Sequence, residues 1–356
     1  MSSRQRQRGV ALIIALILVA LATILATKLM FDGWLEQRRT VGVLAAEQAL
    51  HFAMGAEALA ADVLSQNAQN GGQPAQPGTQ GAQGTQGTQG IVPPTGQTGS
   101  QQVTLAQSWA QPTQPLPLTP ENDPEGEPIG TLQGSLEDMQ GRFNLNNLGF
   151  VGRDGKPDPR PFEQFQRLLV SVKLDAKWAG IARDWIDADD IPGSPDGAED
   201  SIYTSQTPPY RTGNWPMTSP TELMNMPGFG ADLYRKIAPY VTALPLASVP
   251  TPINVCTAPG PVLDSLAEDL NGEYTNNPEL LVNNRKNGCF PDKPTLTNVM
   301  TQAVASKISD LFADSSTYFR LTTRVTLGTT EFTLYSLLQV TPGQKVTPLL
   351  RTFGTL

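Results

Sequence analysis

The sequence predicts an α+β protein in which one long N-terminal helix carries an antiparallel sheet and a large helical region interrupts that sheet. Three observations lead there. Val10 to Thr27 is a run of 18 residues without a charge, and helical spacing continues after it. Near the C-terminus, apolar and polar residues alternate through "YFRLTTRVTL", 318 to 327. Between the sheet segments lie roughly 160 residues, 149 to 312, whose helical patterns are punctuated by proline and glycine.

The first element is set by length and charge. At 1.5 Å per residue the apolar run covers about 27 Å, close to the ~30 Å of a bilayer core. Arg4, Arg6 and Arg8 precede it, while Asp32 and Glu36 temper the basic residues behind it. The positive-inside rule therefore keeps the N-terminus cytoplasmic and puts the remainder outside, as a single-pass protein. A cleavable secretory signal has a shorter apolar region and then a small-residue site before a polar mature chain. Here Leu35, Val43, Leu44, Leu50, Met54, Leu59 and Val63 continue near helical spacing, and the first proline is Pro74. The expectation is one helix over residues 10–65, about 55 residues and roughly 80 Å long, half in lipid and half amphipathic.

Residues 66–102 form a tract of Gln, Gly and Thr that predicts disorder. Its period of three between Gly78 and Gly90 is too short and too poor in proline for a collagen helix. The sheet begins in 103–148, where Ile129 to Asn146 reads as two strands around a "DMQG" turn, with Leu132, Leu136, Phe143 and Leu145 as core residues. It ends in 313–356, where 318 to 327, a "GTT" turn and Glu331 to Val340 make a hairpin.

Composition excludes several classes of function. A net charge of −8 over 356 residues argues against broad attraction to nucleic acid or anionic lipid, although local basic patches remain open. His51 is the only histidine, which removes Ser-His and Cys-His catalysis from the body of the chain. Cys256 and Cys289 meet an oxidising compartment as a pair if the chain is exported, which predicts a disulfide. "IARDWIDADDIPGSPDGAED", 181 to 200, sets seven carboxylates beside one arginine. Such anions repel unless solvated or neutralised by a cation, and hard oxygen ligands on a Pro/Gly-rich loop suit calcium. The loop is not an EF-hand, since Pro192 and Ala198 stand where glycine and glutamate are required counting from Asp187. A solvated acidic loop is the alternative at this point. No sugar-binding motif accompanies the carboxylates to suggest a glycosidase, and the chain reads as a non-enzyme.

A short basic leader ending in Gly9, followed by "VALIIALILVALAT", resembles the N-terminus of type IV pilins and pseudopilins. The resemblance implies that a prepilin peptidase cuts between Gly9 and Val10 and methylates the new amine. It also implies a pilin-like sheet. Most of that family carry glutamate at the fifth mature position, pairing with the preceding subunit's amine, whereas this chain has Ile14. A subunit with no predecessor needs no such carboxylate, because it has no buried ammonium to neutralise. With "GRFNLNNL" (141 to 148), "ARDWIDADD" (182 to 190), "GAEDSIY" (197 to 203), "MPGF" (226 to 229) and "INVCTAPGPVL" (253 to 263), the chain is similar to the K-type minor pseudopilins of type II secretion.

That resemblance implies a subunit capping the pseudopilus tip in support of protein export. It implies a large helical domain inserted between sheet strands, with calcium bound near the acidic motif. Asp187, Asp189, Asp190, Glu199 and Asp200 are then the expected ligands, with Asp184 facing solvent and Asp196 undecided. Implied partners are the I-, J- and H-type minor pseudopilins, the major pseudopilin, the prepilin peptidase and the inner-membrane platform, with secreted substrates or the secretin beyond. A membrane-anchored, calcium-dependent periplasmic receptor acting outside a filament is the competing reading. "TELMNMPGFGADLYRKI" and "INVCTAPGPVLDSLAEDL" each resemble half of a helix-hairpin-helix, and their acidic surroundings favour packing over DNA binding.

Overall fold

The structure, a computed structural model, describes residues 6–69, 102–120, 123 and 125–354. The start of the leader and residues 70–101 of the low-complexity tract lie outside the described residues. Helix α1 runs unbroken from Arg6 to Gln69. At 1.5 Å per residue its 64 residues extend about 96 Å, longer than the spacing predicts. Side chains from Val10 to Phe31 are exposed throughout, and this is the described helix long and apolar enough to cross a membrane.

The second half of α1 buries a different face from the one expected. Val43, Leu44, Met54, Leu59 and Val63 remain exposed, whereas Ala49, Ala53, Ala56, Ala60 and Leu64 are buried against the sheet. The reason is steric: alanines three or four residues apart let the helix backbone lie close to the strands, and the larger side chains turn outward. Glu57 on this face accepts hydrogen bonds from Ser336 at 2.6 Å and from Arg351 at 2.7 and 2.9 Å.

Strands β1 (Leu116–Leu118) and β2 (Gly130–Asp138) precede the helical region. Within that region lie β3 (Phe143–Asn144), β4 (Val241–Thr242), β5 (Ile253–Asn254) and β6 (Phe312–Ala313). It is followed by β7 (Tyr318–Leu327), β8 (Thr330–Val340) and β9 (Val346–Phe353). The main sheet is antiparallel in the order β1-β2-β7-β8-β9. Its β7 alternation is the expected one, with Phe319, Leu321, Thr323, Val325 and Leu327 buried toward α1. Asp138 pairs with Phe319, so the chain leaves the sheet and re-enters it at adjacent positions.

The second strand expected after the "DMQG" turn does not pair with β2. Phe143–Asn144 lies parallel to Val241–Thr242 instead. Its side chains explain why: Phe143 stacks on Phe165 at 5.1 Å, and Leu145 is buried in the same helical core. The inserted region comprises α2 (Pro159–Ser171), α3 (Trp178–Asp184), α4 (Asp200–Tyr203), α5 (Gly230–Ile237), α6 (Gly260–Ser265), α7 (Glu273–Asn276), α8 (Pro278–Asn284), α9 (Lys293–Val299) and α10 (Gln302–Ile308).

Three buried asparagines hold its loops. Asn146 bonds both backbone groups of Met217 and the Leu244 carbonyl, Asn144 accepts from Leu244 N–H, and Asn147 pairs with both backbone groups of Thr251. Each amide replaces a missing strand partner for buried backbone, which is why "GRFNLNNL" carries three of them. Of the two hairpin halves, the first has a 3₁₀ turn (Pro220–Asn225) leading through Pro227–Gly228 to α5. The second opens with β5 and only then turns into α6. Asp138, buried, accepts from Asn254, Thr257 and Ser316 at 2.6–2.8 Å and so ties the insertion to the sheet.

Candidate metal centre

The acidic motif begins at the end of α3. Asp184 is completely buried, contrary to its expected solvent-facing position. Its Oδ2 accepts from the backbone N–H of Gly193 at 2.8 Å and of Ala198 at 2.9 Å, folding the following loop back over the helix end. Small residues are required for that fold. A Cβ on Gly197 would stand 2.2 Å from Asp184 Oδ2, and one on Gly193 would stand 2.2 Å from the Arg183 guanidinium. Gly193 and Gly197 of "IPGSPDGAED" thus serve a close approach of backbone to a carboxylate.

Folding the loop brings Asp187, Asp189 and Glu199 together, with one oxygen from each within 4.8 Å of the others. Two other expected ligands are engaged elsewhere. Asp190 accepts from the Asn214 side-chain N–H₂ at 2.9 Å. Asp200 Oδ1 accepts from Thr212 N–H and O–H, and its Oδ2 lies 3.3 Å from Arg211. Asp196 stays exposed.

Several buried oxygens around the cluster have no hydrogen-bond donor among the described residues. They are Asp184 Oδ1, Asp187 Oδ1, the Tyr203 hydroxyl and Asn214 Oδ1, while the Glu199 carboxylate has only the Thr212 hydroxyl beside it, which donates to Asp200 at 2.9 Å. Arg183 Nε is 3.9 Å from Asp184, too far for a hydrogen bond. Burial, reinforced by Asp184 and Asp189, pushes the Asp187 carboxyl up to about 7. Burial, then Asp184 and Asp187, pushes Glu199 up to about 7 as well. Anions that raise one another in this way are what a divalent cation relieves, and the orphaned acceptors are all oxygen, the donor type calcium takes.

Asn214 and Tyr203 carried no signal in the sequence, since neither is acidic nor part of a ligand spacing. Asn214 is placed by a left-handed backbone, φ +44°, and by its own bond to Asp190, which turns its amide oxygen the other way. Elsewhere, Cys256 and Cys289 are joined, as expected. The Gly9–Val10 bond lies within the continuous α1.

Residues 141–246 match the sequence profile described as "Type II secretion system (T2SS), protein K". A relative named Type II secretion system protein K, from Pseudomonas aeruginosa, is 32% identical over 99% of this chain and 94% of its own length. Another of that name, from Pectobacterium carotovorum, is 30% identical over 99% of this chain and 98% of its own length. The fold matches a chain in the crystal structure of the GspK-GspI-GspJ complex from enterotoxigenic Escherichia coli. The TM-score is 0.68 at 23% identity, covering 89% of this chain and all of that one. The chain belongs to the type II secretion system protein K family.

Proposed function

We propose that the protein is a structural minor pseudopilin capping the tip of the type II secretion pseudopilus, with α1 anchored in the inner membrane and the body in the periplasm. The observation that carries this reading is the division of α1, bare and apolar at one end and bound through an alanine stripe to the sheet at the other. A bare apolar helix end can sit in lipid and then among the helices of a filament. Ile14 fits the top position, where no preceding amine awaits a carboxylate. The solved relative is complexed with GspI and GspJ, which supports I- and J-type partners here. H-type and major subunits then follow below them. Cleavage after Gly9 by a prepilin peptidase and methylation of Val10 would release the subunit for assembly.

Calcium, held by Asp187, Asp189 and Glu199 with Asp184 and Asn214 alongside, would neutralise the cluster and fix the loop between α3 and α4. Its role in this reading is to stiffen the tip domain. Co-expression of the full chain with I- and J-type subunits, followed by size-exclusion in detergent, tests the assembly. A co-eluting ternary complex is expected. Elution of this chain alone would overturn the reading.

A further inference from the structure

Just beyond the apolar run, α1 carries a cluster that packs against none of the described residues of the body. Phe31 and Trp34 have ring centroids 6.1 Å apart, and the Arg38 guanidinium lies 4.4 Å from the Trp34 ring centroid. Phe31 is 59% and Trp34 49% exposed. At 100° per residue, Phe31, Trp34, Leu35 and Arg38 fall within an arc of about 100°, whereas Asp32 and Glu36 lie about 110° to 150° from its centre. Arg39 flanks the arc and Lys28 lies one turn below it. Among the described residues Arg38 has no ion-pair or hydrogen-bond partner, and its guanidinium lies beside the ring.

The cluster also has a defined orientation. From Phe31 to Ala49 is 18 residues, which at 100° per residue is five whole turns, so both lie on one side of the helix. Ala49 is the first residue of the stripe that binds the sheet. The aromatic and basic cluster therefore looks to the same side as the body, about 27 Å lower along the axis.

We propose that Phe31, Trp34, Leu35 and Arg38 form an interfacial collar seated in the phospholipid headgroup layer, fixing the depth of α1 and turning its sheet-bearing face toward the bilayer surface. This rests on the membrane-anchor reading above. Lipid is the occupant because the collar begins about one turn beyond the apolar run, past Lys28, and combines the groups that prefer the boundary. Tryptophan has an apolar body and one N–H, and arginine has a long stem and phosphate-matching donors. Val10 to Phe31 measures about 33 Å, so the collar meets the far edge of a ~30 Å core without stretching the helix. Lys28 reaches the same layer by extending its amine along the helix. Tilt and rotation of a spanning helix are set by such anchors, which makes the facing of the collar the facing of the body.

The test uses single-cysteine variants of the full chain, body outward in phosphatidylethanolamine–phosphatidylglycerol vesicles. Labelling is by a membrane-impermeant maleimide; the native cysteines, being joined, do not react. Leu35→Cys should label roughly tenfold more slowly than Gln37→Cys, which lies about 3 Å further along and on the opposite side. Adding Trp34→Ala to Leu35→Cys should restore most of that rate. Equal rates at 35 and 37 overturn the collar, whether both are fast, as in water, or both slow, as under a partner helix or deeper lipid. Ile13→Cys and Leu18→Cys separate the two ideas. Protected while 35 and 37 label alike, they leave the anchor standing and the collar refuted. Freely labelled, they refute both.

Discussion

Replacing Cys256 and Cys289 together by alanine should loosen the inserted region while leaving the main sheet intact. The cysteines are 33 positions apart, so the bond closes a loop of about 34 residues. In the chain-entropy model that loop is worth about 3.8 kcal/mol at 25 °C. For a unit of 150–250 residues, 1 kcal/mol corresponds to about 2–4 °C, which predicts a fall in melting midpoint of roughly 8–15 °C. The enclosed segment has a second tie. The Arg285 guanidinium is buried and donates to the carbonyls of Val255, Ala258 and Phe290 on both sides of the bridge, and burial pulls its pKa down to about 10. The assay is near-UV circular dichroism of the full chain in detergent, where Trp178 and Trp185 of the helical core report. If the double variant melts within about 3 °C of the parent, Arg285 and the core hold the loop without the disulfide and the entropy argument is refuted.

Calcium should raise the melting midpoint of the inserted region in a concentration-dependent way, by the linkage that gives about 2.7 kcal/mol at a hundred times the dissociation constant. Asp187→Asn combined with Glu199→Gln should abolish most of it, and identical calorimetric melts with calcium, with chelator and in the variant would exclude the site. Glu57→Gln should cost about 1 kcal/mol at neutral pH, modest because Arg351 is 40% exposed and solvent screens the pair. Its hydrogen bond with Arg351, above all, depresses the Glu57 pKa. The contribution is therefore present above the ordinary glutamate value and fades as pH falls through the depressed one, so urea stabilities of parent and variant should converge in acid. A gap unchanged at low pH would contradict that assignment. Intact-mass analysis of the membrane form should find a mature chain starting at methylated Val10, whereas an N-terminus at Met1 or near Thr27 would refute pilin-type processing.

The strands legible in the sequence were those whose pattern arises from local periodicity. Alternation in 318–327 reflects one face against α1 and one toward solvent, and the hairpin to β8 follows from a two-residue turn. Phe143–Asn144 misleads because its partner is Val241–Thr242, nearly a hundred positions away, and a two-residue parallel contact leaves no period. β9 carries no strand signal in the sequence: "VTPLLRTF" contains Pro348 and breaks alternation at a bulge opposite Leu337/Leu338. The docking face of α1 misled for a different reason. Hydrophobicity selects large apolar residues, but close packing on a sheet selected alanine.

The acidic site divided along similar lines. Carboxylate density singles out this loop, and three of the five expected ligands come together in it. Which carboxylates turn inward depends on where the loop closes. Asp184 closes it through the N–H groups of residues 193 and 198, and Asp190 and Asp200 are claimed by Asn214, Thr212 and Arg211. Those partners lie 11 to 24 positions beyond the residues they hold, outside any spacing rule.

Placement at the filament tip is tested most directly by immunogold labelling of the inserted region on pseudopili assembled with the full chain. One gold particle at a single end of each filament, and none along the shaft, is the expected result. Labels spaced along the shaft, or filaments bearing none while the protein stays in the membrane, would contradict it.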